Sequence, residues 1–536
     1  MAISSSSFIP GAFVKSCQAH EQYPRKLIGR SRHGVPLLDL YRDRFRRRIQ
    51  RQNMFVDESK VYVPYLDVLE SGSVQQAKLL TKEAVAEWLG GNFQRDPQNA
   101  SSYLDVKPDP RCRFIFLITA GSIEPLELTP KTLQQILSYL QVMPAILDFL
   151  YCFGGRDGED RELRFSGFRT EKTMARPNSG LVLNALNRSG KRFQMCYNLK
   201  TVAVKEVDHN SLIDMTWKIR QAVIHHQFDI ETGTQSWVIA DPLGTMEELT
   251  REHIHGERNQ ADKFGTFIQS FQTSLETHLT FAGWAVEEWR WHIESSEGII
   301  EKITSYFVDG SGLQLQWNPQ ALALIQQRDE KIRETVMALE SNTDILTRLR
   351  DFYANLVKDI DFPDQERSGA THAVNDFISR VDEHVYDCSM QAKRAKALLA
   401  LVSERKQILI QHLQAQTAAR QEDLTGRQEK LANRAGIEAI AVRIITVITL
   451  IYLPATFVST FFSTDAVDFS DSTSPGDPAG LNTEGSHRAL KRFFEVSVPL
   501  MAVTFGLAAA WFYHERRQMR KQFSATSAID KKQQIV

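Results

Sequence analysis

The chain has 536 residues, a formal net charge of −1, 42% hydrophobic and 24% charged residues. That is the composition of a folded protein, and the balanced charge gives no sign of a nucleic-acid partner. Cys17, Cys112, Cys152, Cys196 and Cys388 are odd in number, widely spaced and without a CxxC pair, which speaks against a disulfide framework or a cysteine zinc site and fits a reducing compartment.

In chain order, the opening MAISSSSFIPGAFVKSCQ is serine-rich and acid-free but has no apolar signal core and no arginine before Arg25, so a disordered tail over 1–23 is expected rather than a leader. Arg25 to Arg51 is strongly basic, and Leu37, Leu38, Tyr41, Phe45 and Ile49 recur through it at helical spacing. A surface helix with a solvated basic face is the plain reading; contact with anionic lipid is the alternative.

Residues 24–362 read as a cytosolic α/β domain with a mixed sheet and a helical second half. Strand patterns occur at Val61–Val63, Phe114–Ile118, Leu181–Leu183, Arg192–Tyr197 and Trp237–Ile239. Helices are expected at Thr81–Leu89 and Pro130–Phe149, and from Met246 onward, including Phe264–Leu279 and Leu324–Tyr353. A stalk helix is expected over 363–436, because no proline follows Pro363 until Pro454. Val374, Phe377, Ile378, Val381, Val385 and Cys388 give it an apolar stripe, renewed by Leu398, Leu401, Val402, Ile408, Leu409 and Leu413. Such a stripe favours packing on copies of itself, and so oligomerisation, with packing back on the Met246–Tyr353 helices as the alternative.

Ile444 to Thr464 then carries no charge over a length of about 31 Å as a helix, the thickness of a bilayer's hydrocarbon core. A second uncharged run, Val496 to Tyr513, follows. The expected layout is a first span over 437–464, an acidic loop over 465–493, a second span over 494–513 and a basic tail over 514–536. Arg427, Lys430 and Arg434 before the first span, and Arg516, Arg517, Arg520 and Lys521 after the second, put both chain ends on the cytosolic side.

No phosphate loop, GxSxG or HExxH occurs, so enzymatic chemistry and an organic cofactor are not expected. His225 and His226 fall in a strand, where neighbours point to opposite faces and cannot chelate one ion side by side. Trp289, Trp291 and His292 read as helix packing. The scattered acidic residues could supply a regulatory divalent-ion site between subunits without identifying it.

Within the first span, Thr446, Thr449, Leu453, Thr456, Thr460 and Ser463 are spaced 3, 4, 3, 4 and 3 apart, a seam on one helical face with hydroxyls at all positions but Leu453. In a bundle of identical spans it could line an axis with weak oxygen ligands; small hydroxyl residues equally favour dry helix packing. Continued toward the cytosol the seam reads Val442, Ala439, Ala435, Ala432, Gln428, Thr425 and Gln421, small and polar as a wet funnel requires.

The stretch Leu450-Ile451-Tyr452-Leu453-Pro454-Ala455-Thr456-Phe457-Val458, entered from a long charged helix and followed by a short loop, a span with Val498-Pro499-Leu500 and a basic tail, resembles the CorA magnesium-transporter superfamily, especially its divergent fungal CorA-like branch. The resemblance is specific over Leu398 to Lys521 and architectural before it. It implies a pentamer around the first span, a funnel-shaped cytosolic α/β domain, both termini cytosolic, and magnesium or another divalent cation as the transported ion. The family's Gly-Met-Asn signature is replaced here by Ser463-Thr464-Asp465, the expected pore mouth, where Asp465 would form a ring of carboxylates and act as a transient metal ligand. Membrane localisation follows, plasma membrane first, with the mitochondrial inner membrane or an endomembrane as alternatives. A non-conducting, membrane-tethered sensor on the same scaffold is the competing function.

Overall fold

The computed structural model describes residues 7–28, 34–51, 53–90, 94–95, 102–104, 107–121, 124–154, 164–177, 181–204, 217–256, 263–309, 319–463, 491–511, 513–514 and 517. The chain divides into two units, Met1–Leu413 and Gln414–Val536.

The first unit is built on a seven-stranded sheet, ordered β3-β2-β6-β10-β9-β8-β7. Its strands are β2 (Val63–Val68), β3 (Val74–Leu79), β6 (Cys112–Thr119), β7 (Phe168–Thr173), β8 (Arg192–Val204), β9 (Trp217–Asp229) and β10 (Gln235–Pro242). Three short strands, β1 (Ser7–Phe8), β4 (Gln94–Arg95) and β5 (Ser102–Leu104), form a separate sheet. Only the β6–β10 pair of the large sheet is parallel, so the expected mixed sheet is present. The apolar runs Phe114–Ile118 and Trp237–Ile239 are its centre, buried on both faces as their lack of polar alternation requires.

One face carries α1 (Gly11–Gln18), α2 (Val35–Arg51), α3 (Lys82–Leu89), α4 (Pro130–Leu140) and α5 (Ile146–Leu150), whose apolar side chains join Ile115, Leu117, Val223 and Val238 in one core. The other carries α6 (Thr245–His255), α7 (Phe267–Val286), α8 (Trp289–Asp309), α9 (Pro319–Leu356) and the start of α10 (Asp364–Ser463), packed on Phe114, Phe193, Tyr197 and Trp237. Thr266 begins α7 with a reciprocal capping box to Gln269. Asn342 of α9 fastens that layer to the sheet: its amide accepts from Lys200 N–H at 3.0 Å and donates to Lys200 O at 2.6 Å and Ala285 O at 3.1 Å.

Several expectations need correction. Residues 7–23 are not a disordered tail: they form β1, α1 and a short 3-10 turn at His20–Gln22, because Ile9, Phe13, Val14 and Tyr23 are apolar enough to be buried in the core beside α4. Pro130–Phe149 is two helices, because Gln141 takes the left-handed conformation at φ 54° and Pro144 prevents continuation. Leu181–Leu183 is not a strand; it runs into a short 3-10 turn at Asn184–Leu186 and pairs only through a single bridge from Leu183 to Arg188. The stalk stripe is satisfied inside its own chain: Val374, Phe377, Val381 and Cys388 are buried in the core formed with α7 and α9. The fold-back arrangement therefore explains that pattern without a second copy.

In the second unit α10 continues through Ser463, with Pro454 inside it, and α11 (Lys491–Trp511) follows. Both helices are long and apolar enough to cross a membrane.

Candidate functional site: a hydroxyl face on the first span

The six seam residues share one face of α10, and all are exposed. Each hydroxyl gives its proton to a carbonyl of its own helix. Thr446 Oγ1 donates to Val442 O at 2.7 Å, and Thr456 Oγ1 to Tyr452 O at 2.8 Å and Leu453 O at 3.0 Å. Ser463 Oγ donates to Thr460 O at 2.9 Å, Thr449 to Ile445 O and Thr460 to Thr456 O. With the proton turned inward, each oxygen presents lone pairs outward, so the face is a column of acceptors. Thr425 repeats the arrangement lower on the same helix, donating to Gln421 O at 2.8 Å.

Among the described residues Pro454 and Val458 are the buried positions of this span, and Ser497 of α11 is buried as well. At about 100° per residue, Pro454 and Val458 lie roughly 150° around the helix from the middle of the seam. The hydroxyl face is exposed, as are most other described positions of this span, so it is set apart by its hydroxyls rather than by its exposure. Thr464 and Asp465, the expected pore mouth, lie outside the described residues, as do the acidic loop to Arg488 and the tail residues Arg516, Arg520 and Lys521.

In the first unit, His225 and His226 do point to opposite faces of β9. His225 Nε2 meets Gln194 Oε1 at 3.1 Å, whereas His226 stacks on Trp237, with ring centres 3.8 Å apart, and its Nδ1 meets His278 Nε2 at 3.2 Å. Tyr197 Oη closes on His278 Nδ1 at 2.6 Å. Burial holds His225 and His278 down at about 3 and His226 well below its ordinary value, so these rings are neutral packing groups. Trp289 and His292 are buried, but Trp291 is 53% exposed and packs less than its neighbours suggested. Among the described residues no group of three or more His, Cys, Asp or Glu side chains could hold a metal ion.

Periodicity did not single out a polar row that crosses the sheet. Asp67, Arg113, Ser236, Gln227, Gln194 and Glu171 stand side by side in register on β2, β6, β10, β9, β8 and β7. Arg113 bonds Asp67 bidentately at 3.0 and 2.9 Å beneath Trp88, whose Nε1 donates to the same carboxylate at 3.0 Å. Charges inside otherwise apolar strands are the signal that could have found it.

The profile of the CorA-like transporters matches residues 15–308, more than half of the chain. The chain belongs to the CorA-like transporters. The matched residues lie upstream of Leu398–Lys521, so membership rests on the first unit rather than on the span sequence that suggested it. No curated protein matches this CorA-like chain. Among solved structures it is similar to the cytoplasmic domain of ZntB from Vibrio parahaemolyticus RIMD 2210633, at 9% identity and a TM-score of 0.25, covering 63% of this chain and 97% of that one. A similarity that slight carries no inference.

Proposed function

We propose that this CorA-like protein is a homo-oligomeric divalent-cation channel, pentameric and conducting magnesium first, with the first span lining the pore. The observation that carries this reading is the exposed acceptor face of Thr446, Thr449, Thr456, Thr460 and Ser463, whose hydroxyl protons all turn to carbonyls of their own helix. Magnesium sheds its waters reluctantly, so a pore for it has to accept hydrogen bonds from a hydrated ion. Outward lone pairs do that; outward hydroxyl protons would not. One span cannot enclose an aqueous path, so several copies must contribute.

Ions enter over the acidic loop, meet Asp465 and follow the seam to the cytosol, where both chain ends lie. The membrane is the plasma membrane in this reading. A potential of 100 mV supplies about 4.6 kcal/mol to a divalent cation, so no nucleotide hydrolysis is required. The cytosolic unit sets the gate through α10.

A second reading is favoured by one feature, the Ser463-Thr464-Asp465 sequence where relatives of this type carry Gly-Met-Asn: a non-conducting tether that kept the scaffold. Magnesium uptake into liposomes holding the full-length protein, at an inside-negative potential and beside Asp465→Ala, separates the two. Uptake that falls at least tenfold in the variant establishes the cation path. No uptake of magnesium, cobalt, nickel or zinc by a folded, oligomeric protein selects the tether.

A further inference from the structure

In the large sheet β6 and β10 are adjacent and parallel, and the chain leaves them for opposite faces, β6 toward α4 and β10 toward α6. Parallel neighbours whose connections diverge open a crevice beyond their carboxyl ends, where open α/β sheets take up small molecules. A cleft of about 350 Å³ lies at that end of the sheet. Its walls are the last residues of β8, Arg220 of β9, Leu243 at the β10–α6 turn, and Trp284, Glu287 and Glu288 at the α7–α8 turn.

Backbone strain falls at the same place. Among the described residues four other than glycine have positive φ. Gln141 ends α4 and Asn187 ends the 3-10 turn, the ordinary use of that conformation. The other two, Leu243 at 68° and Glu288 at 66°, both line the cleft. Neither residue type enters the left-handed region readily, and Leu243 is 64% exposed, so burial of its side chain does not offset the cost.

The charges on the walls are unpaired. Arg220 Nε is enclosed without a hydrogen-bond partner, and burial lowers the guanidinium's pKa. Its Nη1 stands 3.9 Å from where a Cβ on Gly121, in the loop after β6, would be. Glu124 also abuts Gly121, yet among the described residues no carboxylate forms an ion pair with Arg220. Glu287 and Glu288 are exposed and likewise form no ion pair among the described residues. Water can solvate each of these charges singly; what selects a ligand is that one cation and two carboxylates stand on different walls of one cleft. A simple anion would meet the glutamates, and a simple cation would meet Arg220. A molecule carrying both charges suits both walls. The volume admits a whole amino acid, and Trp284, Val204 and Leu243 offer apolar surface to its side chain.

We propose that this cleft binds a free α-amino acid with an apolar side chain, its carboxylate on Arg220, its ammonium on Glu287 and Glu288, and its side chain against Trp284 and Leu243. The ligand joins the β10–α6 turn to the α7–α8 turn, so its binding stabilises the first unit. The site belongs to that unit and stands whether or not the protein conducts.

The test is isothermal titration of the purified full-length protein in detergent with L-leucine and L-phenylalanine. Two analogues of leucine accompany them: L-leucinamide keeps the ammonium and loses the carboxylate, and 4-methylpentanoate keeps the carboxylate and loses the ammonium. At least one of the amino acids is expected to bind, and removing either charge from leucine should weaken binding roughly tenfold or more. Arg220→Gln, and separately Glu287→Gln combined with Glu288→Gln, should each weaken the amino acid by about tenfold. If Arg220→Gln does not fold, the glutamate pair decides, because both side chains are exposed. No binding of either amino acid by the folded wild-type protein, an analogue that binds as tightly as leucine, or variants that bind like the wild type would overturn the proposal.

Discussion

In Met1–Leu413 the largest apolar side chains, Trp237, Trp289, Phe193 and Tyr353, are fully buried. In Gln414–Val536, Trp511, Tyr452, Ile437 and Leu453 are 66–70% exposed. The first unit satisfies its apolar surface and most of its polar groups within one chain, down to Asn342 fastening α9 to β8. Among its described residues the second buries Pro454, Val458 and Ser497 and leaves nearly all the others exposed. A bilayer supplies cover for Ile and Leu, but not for a column of hydroxyl acceptors. The contrast separates a unit whose large apolar side chains are covered by its own chain from two helices, long and apolar enough to cross a membrane, whose described residues are mostly exposed.

Substitutions that should cost stability in one unit and not in the other sharpen this contrast. Phe193→Ala opens a hole among Phe228, Phe352 and Tyr353 and should destabilise the α/β unit by about 3–5 kcal/mol. Ile445→Ala, at a position 64% exposed, should shift unfolding of that unit by less than about 0.5 kcal/mol. Equal losses in thermal unfolding would erase the distinction. Asn342→Ala leaves the Lys200 backbone unmet on the side of β8 away from β9 and should cost about 2–3 kcal/mol, read by the same scan.

A pH series comes next. His278 is held at about 3 in the folded state against an ordinary 6.5. Between those values the unfolded chain binds the extra proton, so stability present above pH 6.5 is lost as pH falls through the window. From pH 7 to pH 5 this should amount to about 2 kcal/mol, and the drop in Tm should shrink by that part in His278→Phe. Arg350→Ala is the smallest effect: its 2.7 Å pair with Asp382 is solvent-exposed and should be worth less than about 1 kcal/mol. A larger loss would mean that the outer face of α9 and α10 is more constrained than the exposed pair suggests.

What the sequence disclosed follows the same division. Phe114–Ile118 and Trp237–Ile239 were legible as strands from their apolar runs, but their central place comes from their register with each other, β2 and β9. The break at Gln141–Pro144 is marked in the sequence only by Pro144, because the apolar pattern continues across it. The stripe through Val374 and Phe377 announced burial but not its partner, since periodicity says which face is covered and not by what. The Asp67–Arg113 pair joins residues 46 positions apart and emerges only from strand register. For the seam, spacing gave the face; the inward turn of the hydroxyl protons, which makes that face a row of acceptors, is a rotamer property that spacing does not carry.

The most direct test of the hydroxyl face compares Thr456→Cys with Ile451→Cys, a position on the opposite side of the same span, by magnesium flux in liposomes before and after a membrane-impermeant cationic thiol reagent. The native cysteines favour the experiment, because Cys112, Cys152, Cys196 and Cys388 are buried. If the seam lines a water-filled cation path, the reagent blocks flux through Thr456→Cys and leaves Ile451→Cys unchanged. Block at Ile451→Cys with Thr456→Cys untouched would contradict it and turn the hydroxyl face toward a dry helix contact.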